Sequence, residues 1–184
     1  MLSLTKFADA VVRMLSRGRS YRDSLELVGE VTWELCGADG LVKRSGKVRN
    51  RVITNGDNYI AGLMRGGSCW TYRMKLDSSS TAPNKNDATS YTTVANYIPG
   101  TVKAMEATWP RAGASDNITQ FKGIWNFVGV CSNINSASLV DNATDAGEAD
   151  ATHTLARAVL SGIPINAIAG DQLTITWDIQ CQGA

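Results

Sequence analysis

The stretch Asp171–Cys181, DQLTITWDIQC, constrains this chain more than any other. Leu173, Ile175, Trp177, Ile179 and Cys181 fall on one side of an extended backbone, and Thr174, Thr176, Asp178 and Gln180 on the other. Alternation of this kind, in β-branched and aromatic company, is the signature of a strand with one face in a core. It stands almost at the end of the 184 residues. A closing segment that buries a Trp must slot between or beside strands made earlier, so the rest of the sequence has to supply them.

It does so in short pieces. Val31, Trp33 and Leu35 alternate with Glu30, Thr32 and Glu34, and Asp39-Gly40 marks a turn. A polar strand follows through Val42 to Arg44, and another from Gly46 through Val48 to Ile53. Asn55-Gly56 ends the β run, and DNYIAGLM reads as a short helix with Asp57 as its cap and Tyr59, Ile60, Leu63 and Met64 on one face. Further strands are expected in CWTYRMKL, in one or two pieces between residues 91 and 110 broken at Pro99-Gly100, in Ile118–Val130, and in HTLARAVLSGIPI. Two long polar stretches, DSSSTAPNKNDATSY and the acidic region holding Asp141, Asp145, Glu148 and Asp150, read as loops. Loops of this length are usually functional, mobile or pinned by a partner. About eight strands without regular alternation with helices predict a mainly β chain, an antiparallel β-sandwich of jelly-roll type.

Residues 3–17, SLTKFADAVVRMLSR, break that habit. Leu4, Phe7, Ala8, Val11 and Leu15 recur at helical spacing, and Arg13 and Arg17 make the exit basic. Residues 1–26 therefore read as an N-terminal amphipathic helical arm, and 27–184 as the β domain. The arm either packs on its own domain with its basic face in solvent, or docks on another subunit or an acidic surface. Leu4, Phe7, Val11, Leu15, Arg13 and Arg17 are its candidate partner contacts.

Five tryptophans divide by context. Trp33, Trp125 and Trp177 sit in strand patterns and are expected in the core. Trp70 and Trp109 flank loops and are the other partner-contact candidates, as interface anchors or as sugar-stacking platforms.

Chemistry-bearing motifs are sparse. His153 is the single histidine, with no G-x-S-x-G beside it, and reads as a strand-edge residue. The four cysteines, Cys36, Cys69, Cys131 and Cys181, form no C-x-x-C and do not read as a zinc site; buried free thiols are the plainer reading, with two disulfides as the alternative. The acidic loop does not match an EF-hand. No phosphate-cradling glycine loop occurs. Formal charge is +1, so no global field recruits nucleic acid. No stretch approaches the length of a membrane span, and the N-terminal apolar segment, broken by Arg13, does not read as a signal peptide. The expectation is a chain with no catalytic residues, no cofactor, no metal, no direct nucleic-acid contact and no membrane.

Five stretches taken in order, KVRNRVITNGDNYIAGLM, KLDSSSTAPNKNDATSY, FKGIWNF, TLARAVLSGIPI and GDQLTITWDI, resemble a loosely defined group of tailed-bacteriophage virion proteins. The resemblance covers roughly residues 47–181. Members show an N-x-V-T-N-x-G step into a short helix, a G-T-G-x-T-A-P loop, an L-A-R strand and a final D-x-L-T-V-T-W strand. Here the first step is one residue shorter, Asp77 and Ser79 replace loop glycines, and the acidic loop looks like an insertion. The resemblance implies a non-catalytic particle component assembled in the host cytoplasm: a head decoration (cement) protein bound to the major capsid protein, or a tail adaptor or fibre anchor, in either case forming homo-oligomers. A carbohydrate- or receptor-binding module is the alternative from another class.

Overall fold

The structure, a computed structural model, describes residues 25–66, 72–85, 97–141 and 154–183. The sequence-predicted arm, with Leu4, Phe7, Val11, Arg13, Leu15 and Arg17, lies outside the described residues, as do Trp70, Cys69, His153 and most of the acidic loop.

Among the described residues, eleven strands and one helix follow in order: β1 (Leu25–Cys36), β2 (Val42–Val52), α1 (Thr54–Met64), β3 (Tyr72–Asp77), β4 (Lys103–Ala104), β5 (Arg111–Ala112), β6 (Ile118–Asn126), β7 (Cys131–Ile134), β8 (Ser136–Asp141), β9 (Thr154–Val159), β10 (Ile165–Ala167) and β11 (Gln172–Gly183). Nine of the strands join in one sheet, ordered β4-β3-β8-β9-β2-β1-β11-β6-β5, and β10 pairs with β7 in a separate ribbon. Every pairing is antiparallel.

The chain is mainly β and antiparallel, but it is not two facing sheets of a jelly roll. One sheet curls into a half-barrel. The reason lies in β2, which has a partner on each edge. One edge pairs with β1 through most of its residues, and the other pairs with β9 only at Arg51↔Arg157 and Val52↔Ala156. That short second pairing joins what would otherwise be two sheets. The two polar strands expected between Val42 and Ile53 are this one strand.

The curl brings distant strands face to face. Tyr72 on β3 meets Phe121 on β6 edge to face, with ring centroids 5.0 Å apart. Trp125 on β6 donates from its indole N–H to the Thr101 carbonyl oxygen at 2.8 Å. The two sheet edges are also neighbours in sequence. Residues 105–110 run from β4 to β5, and the Glu106 N–H donates to the Lys122 carbonyl oxygen on β6 at 3.0 Å.

β11 lies between β1 and β6, its partners on both sides. Leu173, Ile175 and Trp177 are fully buried and Ile179 nearly so, opposite Leu35, Trp33, Val31 and Gly29 of β1. Trp33, Trp125 and Trp177 all occupy the core, as their alternation requires. Full burial of such a side chain contributes roughly 1.5–3 kcal/mol. Gly46 opposes Trp33, and a Cβ there would stand 2.6 Å from the indole nitrogen. The bare backbone is what lets the ring lie flat over β2.

The helix departs in detail from its expected form. It begins at Thr54, its N-cap is Ile53, and no side chain caps it. Asp57 sits in the first turn and pairs with Lys85 at 2.6 Å. Tyr59 is buried with its hydroxyl 2.8 Å from that of Tyr72, whereas Met64 is exposed instead of sharing the buried face. The helix follows the C-terminal end of β2 and packs on β9, so it stands at the end of the half-barrel away from the β1–β2 turn.

Candidate functional site

Two places concentrate unusual residues. The first is a buried polar cluster on the outer face of β3, β8 and β9. Lys75 and Asp77 (β3), Ser136 and Ser138 (β8) and Arg157 (β9) alternate with the core residues Met74, Leu76, Ala137, Leu139, Ala156 and Ala158, yet they too are buried. Arg157 donates to the carbonyl oxygens of Thr81 at 2.7 Å and Ser79 at 3.0 Å, and to the Ser136 hydroxyl at 2.9 Å, with the Asp77 carboxylate 3.5 Å away. Ser136 donates to Asp77, and the Ser79 N–H reaches the same carboxylate at 3.1 Å. The Asp77 carboxylate and the Arg157 guanidinium are thus engaged in holding Ser79 and Thr81 onto the sheet. Lys75 pays for its place there: burial pushes its ammonium down to about 8, against a smaller opposing pull from Asp77.

This cluster explains why KLDSSSTAP and TLARAV stand out in the sequence. Asp77 and Arg157, distant in sequence, are brought together by the β3-β8-β9 pairing. Sequence reading treats the polar half of an alternating strand as solvent-facing, so it passed over Arg157, Lys75 and Ser138.

The second place is the rim at the β1–β2 turn. Four connections meet there: residues 37–41, 127–130, 160–164 and 168–171. Residues 127–130 and 37–41 are each tied to 168–171, and 160–164 is tied to β2 through Arg44. The Phe127 N–H donates to Asp171 O at 2.9 Å, and Gly170 N–H to Phe127 O at 2.8 Å. Arg44 donates to the carbonyl oxygens of Pro164 at 2.9 Å and Ile163 at 3.3 Å, and to the Ser161 hydroxyl at 3.0 Å. Gly170, at φ +88°, packs so closely on Ala38 that an added Cβ would stand 2.9 Å from the alanine methyl. Lys43 pairs with the buried Asp171 at 2.6 Å. That hydrogen bond, helped by the Ile168 N–H, holds the Asp171 carboxyl below its usual range.

Having fixed these connections, the chain places large apolar side chains on their outer surface. Leu41, Val42, Val128, Val130, Ile163 and Ile168 are all exposed, Val128 at 98% and Ile163 at 69%. Just beneath, Ile134, Ile165 and Ala167 of the β7–β10 ribbon are completely buried. Single exposed apolar residues are ordinary, but several on one surface mark an interaction site. Glu34 and Asp39 bring acidic charge to the same end of β1. The Glu34 hydrogen bond to the Cys36 thiol, with burial and the nearby carboxylates, raises that thiol's pKa.

The sequence missed this rim because Val128 and Val130 read as the continuation of a buried strand. The available signal was Gly129 between them and Gly162 beside Ile163: glycine interrupting apolar residues marks a connector, and a connector is a surface element.

Of the sequence-predicted contact residues, Trp109 alone is described. It is half-buried at the far end of the 105–110 connector, with the Arg111 guanidinium 3.9 Å and the Lys122 ammonium 5.9 Å from its ring centroid. It lies on the β4–β5 seam, away from the apolar rim. The thiols of Cys36, Cys131 and Cys181 are free, but they are not buried as expected: the first two are half-buried and Cys181 is exposed. Cys181 falls on the core side of β11 only beyond the point where the core ends. Among the described residues no group of three His, Cys, Asp or Glu side chains is placed to hold a metal ion, and no helix is long and apolar enough to cross a membrane.

No family model, curated protein or solved structure matches this chain.

Proposed function

We propose that this protein is a non-catalytic structural subunit that docks through the apolar rim, most simply a head decoration protein of a bacteriophage particle. The observation that carries the reading is the exposure of Leu41, Val128, Val130, Ile163 and Ile168 on connections that are otherwise tied down, with Val42 exposed at the adjoining start of β2. A rigid apolar surface is pre-organised for association, because little side-chain and loop freedom remains to be lost. The polar residues most capable of chemistry, Asp77, Arg157 and Ser136, are buried and bonded to one another. The ordered sequence resemblance to virion proteins supplies the setting.

The same rim would serve a tail adaptor or fibre anchor. Against a sugar platform at Trp109 stands the guanidinium of Arg111, which lies within cation–π distance of the ring. Quantitative mass spectrometry of purified particles tests the assignment. Hundreds of copies per particle indicate decoration, and about six to a dozen indicate an adaptor at a symmetry axis. Absence from particles contradicts the proposal, as does undiminished incorporation of a Val128→Asp/Ile163→Asp variant.

A further inference from the structure

We propose that the segment Leu4–Leu15 of one copy docks on the apolar rim of a second copy, head to tail. The inference rests on the reading of the rim as a docking surface and names its occupant.

The geometry begins with β1. The chain enters it at Leu25 and leaves it at Cys36, where the rim begins. Eleven steps at about 3.4 Å make the strand roughly 37 Å long. The arm and the rim therefore belong to opposite ends of the same strand. Leu15 is ten steps from Leu25, about 35 Å when fully extended. To reach its own rim, the chain between Leu15 and Leu25 would have to run fully extended along the whole of β1. A second copy placed end to end imposes no such demand.

Chemistry agrees with position. At the helical spacing read from the sequence, Leu4, Phe7, Val11 and Leu15 form one apolar stripe about 17 Å long, suited to a rim whose exposed residues are all aliphatic. Arg13 and Arg17 follow that stripe, and Glu34 and Asp39 lie beside the rim, where the cations Lys43 and Arg44 are already engaged by Asp171 and by the 161–164 connection. Donor and acceptor are different surfaces, so the contact is heterologous. It closes into a ring if the rotation between copies divides a full turn, and otherwise grows as a filament.

Sedimentation velocity on the full-length chain tests this. The wild type should assemble beyond the monomer with rising concentration. A Phe7→Asp/Val11→Asp variant and a Val128→Asp/Ile163→Asp variant should each be monomeric at concentrations where the wild type is assembled, with unchanged melting temperatures. Mixed, they should form one-to-one dimers and nothing larger, because one contributes only a working rim and the other only a working arm. If Val128→Asp/Ile163→Asp lowers the melting temperature, Val128→Asp alone takes its place in the mixture. A monomeric wild type, an arm variant that assembles normally, or a mixture that stays monomeric overturns the inference. Particle incorporation separates this from the underlying reading: if the rim variant is lost from particles while the arm variant is retained, the rim binds a different virion protein and the head-to-tail contact is wrong.

Discussion

The two halves of the half-barrel use alternation differently. In β1, β11 and β6 the inward positions are apolar and buried, while the outward Thr32, Glu34, Gln172 and Asn126 are exposed. In β3, β8 and β9 the sequence also alternates, as Tyr72-Arg73-Met74-Lys75-Leu76-Asp77, but both faces are covered near the middle of the strands. The first half is held by apolar burial on one side. The second carries an ionic and hydroxyl network on its back, which anchors Ser79 and Thr81. The lesson is that a period-two pattern fixes which residues share a face but does not fix whether the polar face is wet.

The sharpest way to break the contrast is at β11. Trp177→Ala removes the largest fully buried side chain and is expected to cost about 3–5 kcal/mol. Cutting the chain after Gly170 should abolish cooperative melting, since β1 and β6 would both lose their partner. A truncated chain that melts cooperatively at a similar temperature contradicts this.

Arg157→Met tests the other half. It leaves the buried Asp77 with only Lys75 as a nearby cation and releases the Ser79 and Thr81 carbonyl oxygens. Removal of one partner of a buried pair typically costs about 3–5 kcal/mol. Replacing Asp77 by Asn in the same chain should restore part of that loss, and limited proteolysis should show faster cleavage within residues 78–85 in the single variant. Equal stability of Arg157→Met and the wild type by urea titration would mean that the network does not hold this half.

Much of this was legible beforehand, for reasons that differ by region. The β1 and β11 alternations, the core tryptophans and the position of α1 follow from local periodicity, because in each case one face meets water and the other does not. The two-sheet sandwich was misjudged because the pairing of β2's second edge with β9, at Arg51 and Val52 only, has no sequence signature. Within the described part of the 91–110 region only the two-residue strand β4 forms, since Tyr97, Ile98 and Thr101 spend their bonds on Asp77, Leu76 and each other. The apolar rim was hidden because exposure is set by how four separate connections meet, and no window of sequence contains all four.

A smaller effect concerns Lys75. Its folded-state pKa, about 8, lies below the ordinary lysine value, so the unfolded chain binds more protons between that value and the usual lysine range. The Lys75 contribution to stability should rise as pH increases through that window. The difference in unfolding free energy between wild type and Lys75→Met isolates it from the thiols and tyrosines. Lys75→Met should be the more stable protein near pH 7, with its advantage shrinking as pH rises. An advantage independent of pH would mean that Lys75 keeps its ordinary affinity for protons.

The smallest expected effect is at the seam. Trp109→Ala loses a half-exposed cation–π stack with Arg111, worth about 0.5–1 kcal/mol. It should leave rim-dependent association untouched, because Trp109 stands apart from the rim. Loss of association in this variant, measured by sedimentation, would move the docking surface to the seam.

Hydrogen–deuterium exchange followed by mass spectrometry addresses most directly whether one sheet, closed by its last strand, unites the two halves. Peptides covering Leu173–Ile179 and peptides covering Ala137–Val140 and Leu155–Ala158 should share the slowest exchange, governed by a single global unfolding event. Early exchange of β11 while β8 and β9 remain protected would contradict a sheet that depends on its closing strand.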